Sequence, residues 1–215
     1  MDVLVNNLGI FCQGVWMTIA LTGLSLAMAL PLGVLVAVMR VSPAGGARVV
    51  ASLYVEIVRN TPLAVVFFFS AFVLPQLGLR LSYFAFAIIA LVVYYVAFFC
   101  EAVRSGINAV PAGQAEAARS IGMQFGECLR SVIIPQAARS SIPPLVNVTI
   151  SLVKSTAVAS AFGVSELLSA MERVVFLEGN AVLTVLIITS FVYLAITIPL
   201  GSIAYSVEHK LGLRR

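Results

Sequence analysis

Four uncharged apolar stretches govern what this chain can become: Val3 to Met39, Asn60 to Leu79, Leu81 to Cys100 and Asn180 to Val207. As helix, at about 1.5 Å per residue, each is long enough to cross a hydrocarbon layer of about 30 Å. A fifth stretch reads from Ile142 to Val164 and is interrupted by Lys154. With 61% hydrophobic and only 10% charged residues in 215, a water-soluble globule is excluded. The expected fold is therefore all-α: a polytopic membrane protein with five transmembrane helices, forming one domain over residues 1–215. The first stretch lacks a basic leader and exceeds the roughly 7 to 15 apolar residues of a signal peptide, so it is expected to stay as a membrane anchor.

Placement of charge sets the orientation. Arg40 and Arg48 flank the first turn, Arg104, Arg119, Arg130 and Arg139 lie in the one long polar stretch, and Lys210, Arg214 and Arg215 end the chain. Five spans put these regions on one side, cytoplasmic by the positive-inside rule, with the N-terminus outside and the C-terminus inside. The opposite side carries Arg80, Arg173 and the acidic Glu166, Glu172 and Glu178. The loop from about Glu166 to Gly179 is polar enough to leave the bilayer. A net charge of +4 placed in this way speaks for membrane topology and implies no nucleic acid partner.

Cys12, Cys100 and Cys128 are scattered and without a neighbouring His, so neither metal site nor disulfide framework is indicated. His209 is the only histidine and sits in a basic tail. No catalytic constellation is expected.

The polar stretch from about 104 to 139 is punctuated like a docking loop. Pro111 and Gly113 open a short helix, Gln114 to Ile121 favour it, and Gly122 can take the left-handed conformation that ends it. Ala117 and Ile121 share a face, Ala115 and Ala118 leave low relief, and Glu116 and Arg119 are spaced to pair or to reach outward. Helical character resumes after Gly126 and Pro135 marks a further break, so the expected form is two short helices with a glycine-hinged bend. A helix of about two turns is marginal alone and needs a surface to lie against.

Glu116-Ala117-Ala118, Gly122, then Val132, Ile134 and Pro135 match the EAA pattern, with Val132 and Ile134 in place of the usual Ile and Leu. Together with Glu101-Ala-Val-Arg104-Ser-Gly106, Pro111-x-Gly113-Gln114 and Val58-Arg59-Asn60-Thr61-Pro62-Leu63, the chain resembles the permease subunits of ABC importers, in their polar amino acid branch. The resemblance covers nearly the whole chain. It implies the ABC transmembrane type-1 fold, a bacterial inner-membrane location, and cytoplasmic coupling helices seated on an ATP-binding subunit. Glu116, Ala117, Ala118, Arg119 and Gly122 would form that contact, with Glu116 facing a basic group of the ATPase. The implied partners are an ATP-binding subunit dimer, a second permease subunit, identical or paralogous, and an extracytoplasmic amino acid binding protein, besides membrane lipid. Glutamate or glutamine is the leading substrate expectation.

No phosphate-binding loop is present, since Lys154 and Lys210 lack the preceding Gly that a Walker lysine requires. ATP and Mg belong on the partner subunit, and this chain is expected to be no enzyme. The alternative is a secondary amino acid carrier driven by an ion gradient.

Two intramembrane cations stand out. If Pro143 and Pro144 start the fourth span, Lys154 lies about 16 Å further along, near the bilayer middle. A charge there is costly, so Lys154 should face a bundle interior or a water-filled path. It either contacts a substrate carboxylate, with Asn147, Ser151, Ser155 and Thr156 nearby, or holds the bundle through a structural ion pair or a backbone-carbonyl contact. Arg59 stands one turn from Glu56 before Pro62, and either pairs with it at a kink or joins the path and Glu101.

Overall fold

The computed structural model describes residues 2–42 and 45–210, and these are helical with short connections and no strand. A one-turn helix, Asp2–Asn6, precedes α1 (Leu8–Val41). A bent pair follows, α2 (Gly45–Arg59) and α3 (Leu63–Phe68), the latter continued through Phe69–Val73 and Leu74–Gln76. α4 (Tyr83–Asn108) leads to α5 (Ala112–Ser120). A turn then enters Phe125–Cys128, which runs through Leu129–Ile133 into α6 (Ile134–Ser155) and a tighter 3-10 segment, Thr156–Phe162. α7 (Leu167–Leu177) and α8 (Val182–Lys210) complete the described chain.

Four of these assemblies are long and apolar enough to span a membrane: Leu8–Val41, Tyr83–Asn108, Phe125–Phe162 and Gly179–Ser206. Counted as one span, the bent pair makes a fifth, and it breaks by 103° between Arg59 and Leu63. That break has a local cause. Pro62 has no N–H and restricts Thr61 to extended backbone, while the Asn60 amide and Thr61 hydroxyl bond back to the carbonyls of Glu56 and Ile57 at 2.8 Å each.

Proline also explains the two wide π turns. Leu129–Ile133 lies just before Pro135, and Phe69–Val73 just before Pro75. In a regular helix each ring would collide with the carbonyl four residues earlier, so the preceding turn opens instead of the helix ending. Pro135 is thus no break, and Pro143 and Pro144 lie inside α6 rather than starting it. The helix that carries Lys154 begins at Phe125, well before the two prolines. The second short helix of the polar loop is the first turn of this span.

The core lies where α1, α4 and α6 meet, around Leu21, Leu91, Tyr95, Phe99 and Leu152. α1 offers it a stripe of small residues, with Thr18, Ser25, Ala29, Gly33 and Ala37 all buried, which is how apolar spans approach closely in lipid. Closest is α4 on α6 at Gly106, where an added Cβ would stand 1.9 Å from Ser141 Oγ and 2.7 Å from the Ser141 backbone. Trp16, Met28, Leu35 and Phe191 remain exposed, as lipid-facing residues do.

The segment from 166 to 179 is not a plain polar loop. α7 buries Leu167, Ala170 and Val174, and packs mainly against α1 and α8. Polar residues spaced between apolar ones hid an amphipathic helix.

Candidate functional site

The polar loop forms a tip built from α5 and the start of the α6 span. Pro111 sits in extended conformation at the N-cap of α5, where its missing N–H costs nothing. Gly122, at φ +86°, turns the chain out of the helix with open space around it, while Met123 N–H bonds the Ala118 carbonyl at 3.2 Å. A capping box then opens the next helix, since Gln124 and Glu127 satisfy each other's backbone N–H groups. Gln136 bridges back to Gln114 at 3.4 Å, tying α5 to the span behind it.

Of the residues expected at this tip, Glu116, Ala117 and Arg119 are exposed. No ion pair joins Glu116 to Arg119 among the described residues, so both charges face outward. Ala118 does not belong with them. It is buried, as is Cys128 of the loop's second arm, whose thiol lies 4.0 Å from the Ala115 carbonyl oxygen. Ile121, set by spacing on the Ala117 face but not counted among the contact residues, and Phe125, not singled out at all, stand 80% and 79% exposed on either side of the Gly122 turn. Their signal was available: two large apolar residues in a polar loop, flanking a glycine.

A second polar surface runs along α6. Asn147, Ser151 and Lys154 share one exposed face at spacings of four and three. Lys154 has no ion-pair partner among the described residues, which removes the structural pair expected as one option within this chain. Ser155 is half-buried and shares a 2.6 Å hydrogen bond with the Tyr95 hydroxyl, which also donates to Ser151 at 3.4 Å. Tyr95, read from sequence as plain span, is therefore the polar link between α4 and α6. Thr156 is off this face: fully buried, its hydroxyl is spent on the Val153 carbonyl at 2.7 Å. It follows the buried Leu152 and Val153 at spacings of four and three, which puts it on the face away from Lys154.

Below this face, a cavity of about 800 Å³ opens between α4 and α6, lined by Ser105, Asn108, Gln136, Ser140 and Asn147 among others. A neighbouring cavity of about 370 Å³ holds Arg59. Arg59 does not pair with Glu56. Its guanidinium stands 3.5 Å from Glu101 and 6.0 Å from the Phe98 ring centre. Glu101 also accepts from Arg40 and, at 3.3 Å, from Arg104, so one carboxylate ties the ends of α1, α2 and α4. Four residues on three helices cannot be joined by helical spacing alone, and this hub was visible beforehand only as one alternative for Arg59.

Near the other end of the bundle, Glu166 is fully buried at the N-cap of α7. Its carboxylate accepts from Ser169 N–H and the Tyr193 hydroxyl, each at 3.0 Å. Burial pushes its carboxyl above the usual range.

Among the described residues no group of three or more His, Cys, Asp and Glu side chains could hold a metal ion. Cys100 and Cys128 are buried and Cys12 is exposed, all as free thiols.

This arrangement has close counterparts. The chain is 38% identical over 212 residues to the glutamate transport system permease protein GluC of Corynebacterium efficiens, covering 93% of each chain. It is 37% identical over 202 residues to the probable glutamine ABC transporter permease protein GlnM of Bacillus subtilis, covering 93% of this chain and 92% of that one. A crystal structure of an amino acid ABC transporter with histidines superposes with a TM-score of 0.90 at 31% identity, covering 96% of both chains. The MetNI methionine ABC transporter shares the fold at a TM-score of 0.67 and 23% identity, over 93% of this chain and 97% of that one. Residues 29–212 match the family of binding-protein-dependent transport system inner membrane components, and the chain belongs to that family.

Proposed function

We propose that this chain is the membrane-spanning subunit of an ATP-driven importer that passes a polar amino acid, with glutamate or glutamine as substrate. The carrying observation is the exposed Asn147, Ser151 and Lys154 face on a spanning helix, with an ammonium that pairs with no carboxylate among the described residues. Such a face is untenable against lipid and suits a watered path shared with a second permease subunit, identical or paralogous. The names of the relatives, glutamate and glutamine permeases, support the substrate class.

In this reading the Gly122 tip lies on the cytoplasmic side and seats on an ATP-binding subunit, where ATP and Mg are held. Ile121 and Phe125 enter an apolar recess there, and Glu116 and Arg119 meet its charges. The N-terminus lies outside and an extracytoplasmic binding protein delivers the amino acid. Closure of the nucleotide-binding dimer moves the tip, and the continuous helix from Phe125 carries that movement to Lys154. Two states with the path open to opposite sides follow, and ATP shifts the population between them.

The test is reconstitution in vesicles with the ATP-binding subunit and binding protein. Radiolabelled glutamine or glutamate should accumulate only with ATP. Uptake by the chain without any nucleotide-binding subunit, under an imposed ion gradient, would replace the reading with a secondary carrier.

A further inference from the structure

The Arg59 cavity is charged in an unusual ratio. Arg40, Arg59 and Arg104 surround Glu101, and Glu56 shares the lining. One carboxylate cannot occupy three guanidiniums, each with five N–H donors. The Arg59 and Arg104 side chains are 47% and 42% exposed, so donors remain free toward the cavity. Glu56 is exposed and, among the described residues, enters no ion pair. The cavity thus presents unspent cationic donors and an unspent carboxylate side by side, with a balance of one positive charge.

That combination selects a ligand. A phosphate dianion would meet two carboxylates, and a simple cation would meet three guanidiniums. A zwitterion satisfies both, with its carboxylate on the planar guanidinium fork and its ammonium on Glu56. The cavity also lies on the route. Glu101, Arg104, Ser105 and Asn108 share one face of α4, and the last two line the larger cavity with Asn147 of α6. Polar residues of one α4 face thus line both cavities, and about 370 Å³ is ample for a free amino acid.

We infer that this cavity is a second amino acid station, at the tip end of the path, holding the α-carboxylate on Arg59 and Arg104 and the α-ammonium on Glu56. The inference rests on the reading of the chain as an amino acid importer. An arriving carboxylate competes with Glu101 for Arg59, the weaker and more exposed of its partners, so occupancy loosens the end of α2 from α4.

Arginine modification by phenylglyoxal, read by peptide mass spectrometry on the permease–ATPase complex in phosphatidylcholine nanodiscs without binding protein, tests it. The probes are L-glutamine, L-glutamate and L-cystine in turn, with 4-aminobutyramide as the carboxylate-free control. At ten times its dissociation constant, at least one amino acid should slow modification of Arg59 and Arg104 about tenfold, while the control leaves them unprotected. Glu56→Gln should raise the dissociation constant about tenfold, so that the same amino acid concentration slows modification only about twofold. Protection should persist in Lys154→Ala, which separates this station from the path reading: unchanged uptake in that variant sinks the path and leaves the station to the wild-type labelling. No protection by any of the three amino acids overturns the inference. So does protection that follows added phosphatidylglycerol and ignores amino acid, which would mark a lipid headgroup site.

Discussion

Gly106 and Gly122 are both glycines of the polar amino acid permease pattern, and they do opposite work. Gly106 sits where α4 and α6 touch and no Cβ fits, whereas Gly122 sits in open space with a backbone angle that only glycine adopts freely. One glycine locks two spans into a rigid pair, and the other shapes an exposed turn that no described residue covers. The molecule divides along that line into a close-packed helix pair and a tip made to be covered by something else.

The comparison is broken most severely at Gly106. Gly106→Val should abolish the folded protein, read as loss of the monodisperse peak in detergent, since overpacking a close contact costs about 1 to 3 kcal/mol or more. Adding Ser141→Ala should not restore it, because the Ser141 backbone still lies 2.7 Å from the new Cβ. Full recovery in the double variant would show that a hydroxyl clash, not helix proximity, sets the contact.

Gly122→Asp should insert and fold normally, with a local cost of about 1 to 2 kcal/mol for a left-handed residue, yet fail to co-purify with the ATP-binding subunit. Gly122→Asn, which tolerates that conformation without charge, should keep a measurable part of the association. Equal ATPase binding by Gly122→Asp and wild type would remove the tip from the interface.

A finer cut separates apolar from charged contacts at the tip. Ile121→Ser with Phe125→Ser should leave thermal stability unchanged, as both side chains are exposed, and weaken the ATPase association at least about tenfold. If only Glu116→Ala has that effect, charge rather than apolar burial holds the partner.

Much of this division could be read from residue order. Uncharged stretches gave the spans because length and lack of charge are sufficient for insertion, and Pro111, Gly113 and Gly122 gave the tip because turn chemistry is local. Where reading failed, the cause was a tertiary or register effect. Pro135, Pro143 and Pro144 suggested helix ends, but a π turn before Pro135 lets the helix run on, and Pro143 and Pro144 lie inside it. Thr156 is close to Lys154 in sequence, but it shares the buried face of Leu152 and Val153 and not the exposed face of Lys154. The Glu101 hub joins residues up to 61 positions apart, which no periodicity reveals.

Glu166 gives the smallest expected effect. A carboxyl whose folded pKa is raised holds its proton more tightly when folded, so its contribution to stability falls as pH rises from the ordinary carboxylate value through the raised one. Melting temperatures of wild type and Glu166→Gln, compared from pH 4 to about 8, should diverge across that window, with wild type losing ground as pH rises. Parallel curves would mean that Ser169 and Tyr193 offset the cost of burying the charge.

The central claim is that amino acid passes along the face carrying Lys154, driven from a tip that docks elsewhere. Its most direct measurement is ATP-dependent uptake by the reconstituted complex with Lys154→Ala. Uptake should fall by about tenfold or more, with stability and ATPase association intact, because a lost charge-assisted contact costs about 1.5 to 3 kcal/mol. Unchanged affinity and rate in that variant would contradict the path.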